Sequence, residues 1–293
     1  MSFSSVVKEE LVNIVPSGRK LRISELSGLL AYIAKVGAHG KSVTIETENS
    51  FAIRKCFTLL SKTYNINNDF LETRMSSDKQ VVLDETVAPA QEIIEDVNPI
   101  KIINSNDTEM KRAFLRGVFI ATGFVGEPTK GYHLEFAQSS ASEAAVLAKL
   151  LMSFDVETHM AQRKKRYVLY IKDSESVSDV LSICEASKSM MDFVNEKIVR
   201  DVRNTLNRRV NCEAANLIKS VNAANSQIDD IIYIRDHVGL DALPDQLREM
   251  AIVRLEFPEE PLSKLGEHLD PPVGKSGVNH RLRKLGEYAE SIR

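Results

Sequence analysis

Residues 107–123 read DTEMKRAFLRGVFIATG, an apolar helical run that stops at a glycine. Strand YHLEFAQ, helix SASEAAVLAKLLMSF, strand VETHMAQ and strand RYVLYIKD come next, ending at Asp173. The same order stands upstream. SELSGLLAYIAKVG (Ser24 to Gly37) is a second apolar helix ending at glycine, followed by strand SVTIET, helix FAIRKCFTLLSKTY, and strands around FLETRM and QVVLDE. One plan written twice implies a pseudo-twofold α+β unit built from two repeats. Asp84 to Asn106, with Pro89, Pro99 and many acids, has no sustained period and reads as the connector between them.

After Asp173 the pattern turns helical. SESVSDVLSICEAS opens at a capping Ser174 or Ser176 and puts Val177, Val180, Leu181 and Cys184 on one face. Helical runs from Met190 to Leu206 and from Cys212 to about Arg235 follow, and Gly239 signals a helix end. The last block begins at Pro244, with Leu247, Met250, Ala251 and Leu255 at helical spacing, and stops at Pro258 and Pro261. PLSKLGEHL is a short second helix. DPPVGK is a turn that no helix crosses, because Pro271 and Pro272 remove donors and clash with the preceding turn. A third helix comes after it, with Ser276 as its expected N-cap.

Short helix, turn and longer basic helix is the outline of a helix-turn-helix, whose second helix leads into the major groove of DNA with its N-terminal residues. Val278, Leu282, Leu285 and Ala289 fall on one face and must point to a core. The candidate DNA-binding residues are Lys275, Ser276, Asn279, His280, Arg281, Arg283 and Lys284. Arginine can pair bidentately with guanine and asparagine with adenine, while lysine and the helix's first amides suit phosphates. The bland alternative is a solvated amphipathic face.

Composition narrows the field further. The chain has 293 residues, enough for two domains, with 43% hydrophobic and 27% charged residues and a net charge of −3. Charge averaged over a chain says little about nucleic-acid binding, since what matters is where the charges cluster. Lys197, Arg200, Arg203, Arg208 and Arg209 form a second basic cluster, offered as secondary DNA contacts, and Arg163 to Arg166 a third, read as a solvated hairpin turn. Cys56, Cys184 and Cys212 form no CxxC pair, and the six histidines have no metal-ligand spacing, so no metal, cofactor or disulfide framework is indicated. No phosphate-binding loop and no GxSxG elbow occur. No apolar run approaches a membrane span, and acids stand where a secretory signal would be basic, which places the chain in the cytosol. If Lys197 to Asn225 were one straight helix, Lys197, Arg200, Asn204, Asn207, Asn211, Asn222 and Asn225 would share a sector about 80° wide. Asparagine is a poor helix former, however, so RNTLNRRVN is expected to be a break between domains.

FLRGVFIATGFVGEPTKGYHLEF, NRRVNCEAANLIKSVNAANSQIDDI and PPVGKSGVNHRLRKL together resemble the WhiA family of bacterial regulators, over essentially the whole chain. The resemblance implies a fold similar to LAGLIDADG homing endonucleases, a C-terminal helix-turn-helix, sequence-directed DNA binding in the cytoplasm at the nucleoid, and a part in transcription regulation of sporulation or in cell division and chromosome segregation. On it, residues 1–104 and 105–203 are the two LAGLIDADG-like halves, and 204–293 the helical linker and DNA-binding domain. In the nucleases two such helices pack through small residues, and an acid before each final glycine carries metal. Matched residue by residue, Gly117, Ala121 and Gly123, with Ala31 and Ala34, are the packing residues, and Val36 and Thr122 stand at the acid positions. Neither can ligate magnesium, so a DNA-binding scaffold without enzymatic activity is expected. The expected partner is double-stranded DNA, with another transcription factor as a second candidate. A divergent metal-dependent nuclease using Glu25 or Asp107, and a protein–protein adaptor, remain the alternatives.

Overall fold

The computed structural model describes residues 1–37, 40–67, 69, 71–72, 80–84, 89–164 and 166–293. The chain divides into two compact units, Met1–Asp201 and Val202–Arg293.

The first unit opens with α1 (Phe3–Asn13) and α2 (Arg19–Ile33), and α2 runs straight into strand β1 (Ala34–Val36). Strand β2 (Ser42–Glu46), α3 (Ser50–Tyr64) and β3 (Gln80–Asp84) complete the first repeat, with the strands antiparallel in the order β1-β2-β3. The strand expected around residues 70–75 falls mostly outside the described residues, and Leu71 and Glu72 within it are helical. The second repeat comprises α6 (Thr108–Thr122), β4 (Gly123–Val125), β5 (Leu134–Gln138), α7 (Ala141–Met152), β6 (His159–Arg163) and β7 (Arg166–Ile171), in sheet order β4-β5-β7-β6. Strands show their period of two in burial: Val43 and Ile45 face inward on β2, Val81 and Leu83 on β3, Leu134 and Phe136 on β5. Arg163 pairs with Arg166 across a hairpin whose tip includes Lys164; Lys165 lies outside the described residues.

The two repeats meet at α2 and α6, each 15 residues long. They can touch only because glycines stand at the crossing. A Cβ on Gly28 would lie 2.2 Å from the Phe114 carbonyl oxygen, and one on Gly117 would lie 2.2 Å from that of Glu25. Phe119 fixes α6 to its own sheet through an edge-on contact with Phe136, centroids 5.9 Å apart.

Between the repeats the connector is more ordered than its sequence suggests, for it holds α4 (Ala90–Asp96) and α5 (Pro99–Ile103). Asn98 caps α5 by accepting from the Lys101 amide, Pro99 opens it, and Ile93 and Ile102 are buried. The acids of this stretch are used locally: Arg19 bridges Glu92 at 2.6 Å and Asp96 at 2.9 Å.

Helix α8 (Ser174–Ile183) is capped by Asp173, which accepts from the Ser176 amide, in place of either serine; Val177, Val180, Leu181 and Cys184 are buried as their spacing requires. Helix α9 then spans Ser187–His237, 51 residues, and the boundary between the two units falls inside it. The expected break at RNTLNRRVN does not occur. No glycine or proline interrupts residues 187–237, and a few asparagines, each costing about 0.5 kcal/mol of propensity, are insufficient to end a helix. Its first turn is capped from α1, where Glu10 accepts from the Lys188 and Ser189 amides at 2.8 Å and from the Ser189 hydroxyl at 2.6 Å.

The second unit takes the rest of α9 and adds α10 (Asp245–Glu256), α11 (Leu262–Leu265) and α12 (Lys275–Ile292). Gly239 ends α9 with φ of +78°, its amide donating to Ile234 at 3.1 Å. A separate core gathers Ile231, Ile234, Met250, Leu265, Val278 and Leu282, among others. Among the described residues no helix is long and apolar enough to cross a membrane.

Candidate nucleic-acid interface

The geometry of α10, α11 and α12 is set by a tight turn. Gly266 follows α11, and its carbonyl accepts from the Val273 amide at 2.9 Å. A Cβ there would lie 1.9 Å from the Val273 carbonyl oxygen, so only glycine lets the turn close. Glu249 on α10 clamps both sides of it. One carboxylate oxygen accepts from the Asp270 amide at 2.7 Å and the other from Arg281 at 3.4 Å.

Helix α12 starts two residues earlier than expected, at Lys275, with Gly274 in place of Ser276 as its N-cap and no side-chain cap. Ser276 is therefore an exposed first-turn residue and not the cap. Val278, Leu282, Leu285 and Ala289 are all buried, which fixes the rotation of the helix. At 100° per residue Ser276, Asn279, His280 and Arg283 then fall within an arc of about 100° on the opposite side. All four are exposed, and so are the flanking Lys275 and Lys284. Arg283 is 67% exposed and its Nε lies 3.4 Å from Glu287 one turn on. Glu287 and Glu290 make the C-terminal half of the outward face acidic, leaving donors and cations at the N-terminal end. Arg281 departs from the expected set. Its side chain is only 14% exposed and held by Glu249, so it braces the motif from within.

The second basic cluster is divided as well. Lys197 is ion-paired with Glu175, and that hydrogen bond raises the lysine above its ordinary value. Arg200 lies over the Tyr132 ring, 4.9 Å from its centroid, and donates to the Pro128 carbonyl at 3.4 Å. Arg203, Arg208 and Arg209 are exposed on α9, Arg209 with Glu213 at 3.0 Å.

At the glycine-proximal ends of α2 and α6, the matching of the two motifs shifts by three residues. Gly28 and Gly117 are equivalent at the crossing, and Ala34 and Gly123 cap the two helices. The counterpart of Thr122 is consequently Ile33, not Val36, which ends β1 and is 59% exposed. Gly37 draws the match too far along the chain because it stands where a motif-ending glycine is expected, whereas Gly28, the true packing residue, carries no signal beyond being small. Ile33 is buried, and the Thr122 hydroxyl donates to the Val118 carbonyl at 3.1 Å. Glu25 and Asp107 are committed elsewhere. Glu25 is fully buried between Lys55 at 2.9 Å and Arg116 at 2.9 Å. Asp107 caps α6 through the Met110 amide and pairs with Lys20 at 2.6 Å, which holds its carboxyl below the usual range.

Residues 206–289 match the family model described as the WhiA C-terminal HTH domain, and residues 111–203 the WhiA LAGLIDADG-like domain. A relative from Lachnoclostridium phytofermentans, named a probable cell division protein WhiA, is 40% identical over 100% of both chains. Another of that name from Clostridium beijerinckii is 37% identical, covering 100% of this chain and 99% of its own. The crystal structure of full-length WhiA from Thermatoga maritima superposes with a TM-score of 0.60 at 26% identity, over 99% of each chain. An N-terminal LAGLIDADG-like fold, a C-terminal helix-turn-helix and relatives this similar along their whole length place the chain in the WhiA family.

Proposed function

We propose that the chain is a non-enzymatic regulator that binds double-stranded DNA in a sequence-directed manner through α12, acting in cell division, chromosome segregation or the control of sporulation. The observation that carries this reading is the exposed arc of Ser276, Asn279, His280 and Arg283 at the N-terminal end of a helix whose other face is locked into a core. Asn279 and Arg283 supply the amide and guanidinium that read base edges, and Lys275 and Lys284 the charges that meet phosphates. Arg203, Arg208 and Arg209 add backbone contacts that are blind to sequence. The place of action is the nucleoid, with another transcription factor as a candidate companion at the promoter.

The two arginines that sequence placed together separate this reading from a merely solvated face. Arg283→Ala costs about 1 to 3 kcal/mol of binding and relaxes preference at one base position, with thermal stability unchanged. Arg281→Ala lowers stability by about 1 kcal/mol through the lost Glu249 contact. Anisotropy titrations of full-length protein on duplexes selected from a random pool, alongside melting curves, measure both. Affinity must fall steeply with salt, since phosphate contacts release counterions. Salt-insensitive association with protein alone would favour an adaptor, and magnesium-dependent cleavage of duplex would favour a nuclease.

A further inference from the structure

Inside the first unit, the two repeats and their connector leave a cavity of about 260 Å³ between them. Ala31 of α2, Ile103 of α5, Phe114 of α6 and Leu147 of α7 give it an apolar wall. Val146 also lines it and is 46% exposed, so the cavity reaches solvent along α7. Against this lining stand three polar side chains, Tyr32, Ser142 and Glu143.

Glu143 is the charged one. It folds back on the start of α7, accepting from the Ser139 amide at 3.1 Å and from the Ser139 hydroxyl at 2.7 Å. Among the described residues no cation pairs with it, and a carboxylate can accept more hydrogen bonds than these. Burial, with the Glu143 charge adding to it, raises the Tyr32 hydroxyl to about 12, so that group stays neutral beside the carboxylate. No lysine or arginine lines the cavity. The adjoining recess that shares Tyr32 carries Glu46 and Glu48 against Lys35, which is already paired with Glu46 at 3.2 Å. The field in the cavity is therefore negative.

Apolar walls around one uncompensated carboxylate restrict what can enter. A purely apolar occupant would strip water from Glu143 and leave it unpaired, and an anion would be repelled. We propose that the cavity binds a small amine with an apolar body, its ammonium donating to Glu143 and its hydrocarbon packing on Phe114 and Leu147. The Tyr32 and Phe114 rings suit a cation as well, since the face of an aromatic ring attracts positive charge. A volume at the small end of ligand pockets limits the occupant to roughly ten non-hydrogen atoms.

Phenethylamine, phenethyl alcohol and hydrocinnamate share one aromatic body and differ in the charge of the head group, which makes them the probes. Saturation-transfer NMR titrations on the full-length protein should find the amine binding about tenfold more tightly than the alcohol, and the carboxylate not binding. Glu143→Gln should bring the amine down to the level of the alcohol and leave the alcohol unchanged, a pattern that a misfolded variant would not give. Val146→Trp, at an exposed position, should fill the mouth and abolish binding of both, with the circular dichroism spectrum preserved. Equal binding of the three head groups, no binding of the amine at millimolar concentration, or amine binding that survives Val146→Trp would each overturn the proposal.

Discussion

Glu25, Lys55 and Arg116 lie inside the first unit with almost no exposure, every charge touching an opposite one, while on the outward face of α12 in the second unit Lys275, Asn279, Arg283 and Lys284 stand exposed, Arg283 with one turn-spaced partner in Glu287. Burial works against the charge of Lys55 and pulls it down from its ordinary value; at Arg116 burial pulls the same way but Glu25 and Glu185 outweigh it and hold the guanidinium raised. The lysine is further fixed by donating to the Leu11 and Ile14 carbonyls. Charge of the first kind is structure, because removing one partner strands the others. Charge of the second kind is available, because water already solvates it and a phosphate or base edge can take the water's place.

The sharpest way to break the contrast is to attack the crossing that brings the buried group together. Gly117→Val forces side-chain atoms into the Glu25 carbonyl and should cost more than about 4 kcal/mol, enough to prevent folding of the first unit. Soluble, cooperatively melting Gly117→Val protein would mean that the two helices are not held at glycine contact. Glu25→Gln is next in size. It keeps the shape but strands Lys55 and leaves Arg116 only Glu185, for an expected loss of about 3 to 5 kcal/mol by denaturant unfolding. DNA affinity, measured below the melting temperature, should be unaffected in that variant.

How far sequence foresaw this differs between the two kinds of residue. The buried face of α12 was legible because apolar spacing at 3.6 residues has one reading, and with it came the outward positions of Asn279, His280 and Arg283. Arg281 was not legible: it lies beside outward residues in sequence, and only the position of Glu249 turns it inward. Strands β1 and β4 were hidden by their length of three residues, which is too short to show alternation. The register of α2 against α6 was hidden for a related reason, since Gly28 and Gly37 are alike in sequence and only the approach of Phe114 tells them apart. The asparagines of α9 misled because their local preference is weak and water solvates their amides along the exposed helix.

The smallest expected effect lies between the two extremes, at Glu175. Its carboxylate accepts from Lys197 and from the Ser174 hydroxyl, which hold it down at about 2 against an ordinary value of 4.5. A depressed acid contributes stability that is present above its unfolded value and lost as pH falls through the folded one. Wild type and Glu175→Gln should thus differ slightly in melting temperature near neutral pH and converge as pH approaches 2. The side chain is 73% exposed, so the difference should also shrink as salt is added. A gap that persisted at high salt would place this pair with Glu25 and Arg116 among the charges that hold structure, and would mean that α9 is anchored to α8 more firmly than an exposed ion pair allows.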